Sequence, residues 1–261
     1  MKIRPPAVAG TFYPGEPTAL RTRVLELMTA ARPGQTGPLK ALVAPHAGYV
    51  YSGPIAASAY AALEQSSAPV SRVVLLGPAH RVAFRGLALP SATHFETPLG
   101  LVSLDLGAGA ALADLPQVRT FDRAHAEEHG LEVHLPFLQE VVGELLLVPL
   151  VVGEATAQEV AEVLARLWGG EETLIVVSTD LSHYLDDETA RRRDQATAEI
   201  ILQLGWDRLG EGDACGRFPL AGLLFEAARR GLQARLLDLR NSADTAGPRN
   251  QVVGYGAFAI G

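Results

Sequence analysis

Seven histidines are spread along this 261-residue chain, and several fall where they could do chemistry. His46 follows the apolar run LVAP, His80 follows RVVLLGPA, and Asp180 with His183 follow TLIVVST. Imidazole is a ligand for iron, copper, zinc and nickel, and its titration range near neutrality also suits proton transfer. Pro45 and Gly48 are the residue types of a stiff, tight turn that would fix the His46 ring. A turn histidine bonded to backbone is the alternative, and His46 by itself does not separate the two. Asp180 and His183 are three residues apart, a spacing that brings side chains together on a helical turn. In that arrangement His183 is a candidate general acid/base with Asp180 orienting its ring. The competing reading has Ser178, Thr179 or Asp180 capping a following helix.

The string HAEEH at 125–129 matches the H-x-x-E-H pattern of a class of zinc proteases, with His125 and His129 as ligands and Glu128 as base. Gly130 follows at once and a new apolar period starts at Leu131, so the string sits at a helix start rather than inside a long helix. His134 is in phase with Leu131, Leu135 and Leu138, which makes it core-facing or hydrogen-bonded. His94 and His125 read as surface-loop histidines. Cys215 stands just before a helix that includes Pro219; a thiol there can have a lowered pKa, but a small buried cysteine is the preferred reading. No phosphate-binding G-x-x-x-x-G-K loop, no G-x-S-x-G elbow and no dinucleotide fingerprint after the first strand is found.

The elements that must position these groups are legible as alternating periods. Apolar, β-branched runs at 39–44, 72–77, 145–152, 173–178, 233–239 and 252–259 read as strands, several buried on both faces. Segments with helical period lie at 17–31, 54–65, 131–143, 157–168, 187–204 and 219–230. Strands alternating with helices predict an α/β fold, a mainly parallel or mixed central sheet flanked by helices, as one domain over 1–261. Ligands in such sheets collect outside the carboxyl ends of strands. Four exits carry metal- or proton-holding groups: His46, His80, Asp180 with His183, and Asp244 after LLDLRNSA. The stretch ARPGQTGP at 31–38 joins the first helix to the first strand.

Composition narrows the function classes. The net charge is −7 with only two lysines, Lys2 and Lys40, which argues against a nucleic-acid or anionic-membrane partner. A single cysteine supplies neither a disulfide nor a multi-thiolate cluster, so a metal would rest mainly on nitrogen and oxygen donors, and a reducing cytoplasm is the expected compartment. The N-terminus lacks the apolar core of a signal peptide, and the longest apolar runs are too short to span a bilayer.

Nine motifs taken in order resemble the Memo family: AGTFYPG (9–15), APHAGYVYSG (44–53), GPAH (77–80), ETPLG (96–100), EEHGLEVHLPFLQ (127–139), VPLVVG (148–153), STDLSHY (178–184), CGRFP (215–219) and VVGYGAFA (252–259). The resemblance implies a fold similar to class III extradiol dioxygenases, non-haem iron enzymes that hold Fe(II) through two histidines and a carboxylate. His46 and His80 match the family's metal-binding histidines. Asp180 and His183 match its cleft pair, with His183 at the acid/base position, and Glu128 and His129 carry over as cleft-lining residues. In the animal form a cysteine close to the C-terminal strand completes the site. RNSADTAG at 240–247 offers no thiol, and Asp244 would restore a two-histidine, one-carboxylate set. The implied cofactor is one metal ion, Fe(II) first, copper or zinc as alternatives, serving redox or oxygenase chemistry on a small molecule. A silent cleft that binds a peptide is the second implication, since animal members resemble signalling adaptors. Prokaryotic members are associated with a radical SAM protein, which makes such a protein an expected partner.

Overall fold

A computed structural model describes residues 1–32, 37, 39–66 and 69–261. Residues 33–36 and 38 of the ARPGQTGP connection lie outside the described residues. In chain order the elements are β1 (Ile3–Arg4), α1 (Pro17–Ala30), β2 (Ala41–Ala44), α2 (Gly53–Gln65), β3 (Arg72–Pro78), β4 (Leu87–Leu89), β5 (His94–Thr97), β6 (Gly100–Leu104), α3 (Gly107–Ala111), β7 (Val118–Thr120) and α4 (Asp122–Ala126). There follow a 3₁₀ turn at Glu132–His134, α5 (Leu135–Val141), β8 (Leu146–Val152), α6 (Ala157–Leu167), β9 (Thr173–Ser178), β10 (His183–Leu185), α7 (Asp187–Leu202), α8 (Arg217–Arg229), β11 (Ala234–Asn241), a 3₁₀ turn at Ser242–Asp244 and β12 (Val252–Ile260).

These strands form one mixed α/β sheet. Its main path runs β1-β5-β6-β8-β3-β9-β2-β12-β10, with β11 beside β12, the short β4 beside β8 and β7 beside β4. The centre, β8-β3-β9-β2, is parallel, whereas β12 is antiparallel to β2. The central strands are continuous apolar runs because side chains alternate between two buried faces. Leu42, Ala44, Val73, Leu75, Leu174 and Val176 enter one core with residues of α1, α2 and α5. Ala41, Val43, Val74, Leu76, Ile175 and Val177 enter a second core with α6 and α8. Each buried Val or Leu contributes roughly 1.5–3 kcal/mol, so such a strand cannot slip by one residue without exchanging its two cores.

Helix α6 starts with a reciprocal cap: Thr156 Oγ1 accepts from the Glu159 amide at 3.1 Å, and the Glu159 carboxylate accepts from the Thr156 amide at 2.7 Å. The N-terminal arm is tied down by Glu132, which is fully buried. Its carboxylate accepts from the amides of Ala7 and Val8 and from Tyr13 Oη, and it pairs with the Arg4 guanidinium. Arg4 also donates to the carbonyls of His125 and Glu128. The arm is thereby clamped to the segment that carries Glu128 and His129. Among the described residues, no helix is long and apolar enough to cross a membrane.

The order of the central strands decides which exits meet. β2 and β3, whose exits carry His46 and His80, are not neighbours: β9 lies between them. The exit of β9, Ser178 to Asp180, is therefore flanked by an imidazole on each side.

Candidate metal centre and cleft

His46 is buried one residue beyond Pro45 at the end of β2. Its amide donates to Asp180 Oδ1 at 2.8 Å, and the Thr179 amide donates to the Ala44 carbonyl at 2.9 Å, so the exits of β2 and β9 are laced together. The ring is held by Nδ1, 2.6 Å from Ser178 Oγ, and Nε2 lies 3.3 Å from Cys215 Sγ. His80 is held differently. Glu128 accepts from the His80 amide at 2.7 Å, from its Nδ1 at 2.7 Å and from the Gly130 amide at 2.8 Å. A carboxylate can only accept, so Nδ1 of His80 carries the hydrogen and Nε2 is the nitrogen left for a ligand. Burial works against the Glu128 charge, but these donors outweigh it and hold the carboxyl below its ordinary range.

One donor atom each from His46, His80 and Cys215 lies within 4.8 Å of the other two. Cys215 is brought there by the turn before α8. Its amide donates to the Asp180 carbonyl at 3.2 Å, and the Gly216 amide donates to Thr179 Oγ1 at 2.8 Å. Gly216 permits that approach: a Cβ there would stand 2.7 Å from the Ser178 carbonyl oxygen. Burial, then the Asp180 charge, pushes the thiol up to about 12. The thiol is thus protonated until a cation displaces its hydrogen.

The third-donor expectation is corrected here. Asp244 does not line the cleft; its carboxylate accepts from Arg191 at 2.6 Å and from the Asn241 amide at 3.0 Å, and the guanidinium holds it below the usual carboxylate range against partial burial. A signal for Cys215 was present in the sequence, because CGRFP is one of the motifs of the resemblance, but nothing local marks which strand exit that turn will meet.

The other candidates divide. His129 stacks on His80 with ring centroids 4.6 Å apart and is 5.5 Å from His46. Burial first, then the neighbouring His80, lowers it to about 4. Glu128 lies behind His80 as its orienting partner and does not line the cleft. Asp180 is buried on the cleft wall, where desolvation raises it to about 6 despite the His46 amide. His183 and Asp180 do not share a helical turn. His183 begins β10, and its Nδ1 contacts the Leu181 carbonyl at 2.8 Å, so the carbonyl and not Asp180 fixes its ring. The helix that follows is capped by Asp186, which accepts from the Thr189 amide.

The zinc-protease arrangement is absent. α4 ends at Ala126, which places His125 on the helix and His129 outside it, and His125 is buried with Nε2 2.9 Å from the Ala88 carbonyl. His125 is accordingly a core residue rather than a surface-loop one. His134 is buried as expected, bonded to Tyr60 and Ser178. Around the donors opens a cleft of about 810 Å³ walled by Phe12, Tyr51, His129, Asp180, His183 and Tyr255. Its mouth exposes Val50, Tyr51 and Tyr184, and Tyr184 sits in the left-handed region at φ 60°. Among the described residues, no Lys or Arg lines it.

A profile of the Memo-like protein family matches residues 4–259. A MEMO1 family protein of Aquifex aeolicus is 34% identical over 267 residues, covering 98% of each chain. Another, from Methanopyrus kandleri, is 37% identical over 281 residues, again 98% of each chain. Among solved structures, an uncharacterized protein of Escherichia coli K12 aligns with a TM-score of 0.48 at 14% identity, covering 83% of this chain and 99% of that one.

Proposed function

The chain belongs to the Memo-like family, and from that premise we propose that it holds one metal ion through His46, His80 and Cys215 at the head of a cleft that receives a small molecule. The convergence of three donor atoms within 4.8 Å at the carboxyl end of a parallel sheet carries this reading. The donors fit a metal. Both rings would present Nε2 to the same space, Nδ1 of each has a partner, and the Cys215 sulfur is close enough to His46 to share an ion as a thiolate, its proton released to solvent. Two imidazoles and a thiolate form a softer set than two imidazoles and a carboxylate, so copper and zinc are favoured over the Fe(II) expected with Asp244.

A bound metal would supply Lewis-acid or redox chemistry for a small-molecule oxidation. The chain's own residues would supply the rest. His183, oriented through Nδ1, offers its other nitrogen to accept or return a proton. Asp180, with its carboxyl near 6, can hold a proton close to neutral pH. Phe12, Tyr51 and Tyr255 give apolar walls, and the lack of cationic lining favours an uncharged ligand. The exposed Val50, Tyr51 and Tyr184 favour a second reading, a cleft that binds a peptide without turnover.

The test is anaerobic loading with Cu(I), Zn(II) or Fe(II), followed by metal analysis and oxygen uptake. One equivalent is expected in the wild type and in Asp244→Ala, and loss in His46→Ala, His80→Ala and Cys215→Ala. Equal metal content in all five proteins would remove the site assignment. Metal retained with no oxygen uptake, together with peptide binding abolished by Tyr51→Ala, would favour the second reading.

A further inference from the structure

Ser178 Oγ stands at a crossing of three buried groups: the Gly130 carbonyl, His46 Nδ1 at 2.6 Å and His134 Nε2 at 2.9 Å. A hydroxyl has one hydrogen and two lone pairs. The carbonyl of Gly130 can only accept, so the single hydrogen of Ser178 goes to it, and both imidazoles must donate to the serine oxygen. His46 therefore carries hydrogen on Nδ1 and turns the bare Nε2 toward Cys215. His134 carries hydrogen on Nε2, and its Nδ1 lies 2.9 Å from Tyr60 Oη in the core. Gly130 is itself fixed, because its amide donates to the Glu128 carboxylate that holds His80.

We infer that Ser178 is the positioning residue that sets the tautomer of His46, and that it is held in register by Gly130, His134 and Tyr60. The two rings at the centre are thus oriented by two different devices, a carboxylate for His80 and a shared hydroxyl for His46, joined through the two ends of Gly130. The sequence offers Ser178 as a strand end or a helix cap, and neither reading marks this role. Its effect on metal affinity rests on the metal reading above; the tautomer assignment does not.

The experiment is nitrogen-15 NMR of histidine-labelled, metal-free protein, which distinguishes hydrogen on Nδ1 from hydrogen on Nε2 ring by ring. In the wild type, His46 is expected with hydrogen on Nδ1 and His134 with hydrogen on Nε2. Hydrogen on Nε2 of His46 overturns the inference whatever the metal data say, and this measurement needs no variant to fold. In Ser178→Ala the His46 signal should shift toward a mixture, and metal affinity should fall roughly 10–100-fold, the usual effect of removing a partner that orients a ligand. Ser178→Thr keeps the hydroxyl and should restore both. An unchanged His46 tautomer in Ser178→Ala overturns the assignment of Ser178. If the tautomers are as stated and respond to Ser178→Ala while wild type binds no metal, the inference stands and the metal reading falls.

Discussion

At the scale of single residues, the centre depends on close approaches as much as on donor types. Cys215 reaches His46 because Gly216 has no side chain to strike the end of β9, where a Cβ would stand 2.7 Å from both the Ser178 carbonyl oxygen and Thr179 Cβ. Gly216→Ala is expected to push the turn away from β9 and lower metal affinity by at least about tenfold, as other disturbances of a ligand's support do. The variant should stay folded, and competition with a metal-binding dye reads the change. Unchanged affinity would show that the Cys215 position tolerates a shifted turn. Histidine and aspartate were readable as candidates from their types alone. Their partners were not: Asp180 and His183 suggested a pair by spacing, yet one bonds the His46 amide and the other the Leu181 carbonyl just ahead of its strand.

At the scale of elements, helix α6 is pinned by a cap that lies apart from the cleft-lining residues. Thr156→Ala should cost about 1 kcal/mol, a fall in Tm of roughly 2–4 °C for a chain of this size, with metal binding unchanged. Thermal unfolding beside metal titration separates the two effects; a loss of metal affinity would mean that α6 supports the centre. Apart from α5, which starts at Leu135 where the period begins at 131, the long elements follow their sequence periods to within about three residues at each end, because burial on one helix stripe or on alternating strand faces imposes a local pattern. β4, β5, β6, β7 and β10 left no such trace. They span three to five residues each; β5 and β6 pair as a local hairpin, and the others are strands only through partners more distant along the chain, such as His183 against Val253. The 3₁₀ turn before α5 and the left-handed Tyr184 likewise interrupt what spacing alone would read as helix.

At the scale of the whole molecule, the buried histidines make the fold sensitive to acid. Desolvation lowers His125 to about 4 and His134 to about 3, and His46 and His129 move in the same direction. Between about pH 6.5 and 4 the unfolded chain binds protons at these positions and the folded chain does not, so stability is full above 6.5 and declines as pH falls toward 4. Asp180 and Asp194, both raised by burial, work in the opposite sense over part of this range, but two carboxyls do not offset four imidazoles. Urea unfolding of metal-free protein should show a falling midpoint from pH 7 to 5, with a shallower slope in His125→Asn; a flat profile would count against neutral buried imidazoles.

The chain by itself determined the alternation of strands and helices, the double-faced burial of the central strands and the placing of His46, His80 and Asp180 at strand exits. Each of those follows from a pattern read within a window of a few residues. Which exits meet was decided only by the tertiary structure. Placing β9 between β2 and β3 put Ser178 within reach of His46, and packing the start of α8 on that exit brought Cys215 to an imidazole 169 residues away. The same packing left Asp244 with Arg191. Strand order and loop docking are set by the fit of the two cores across the sheet, and no local period encodes that fit.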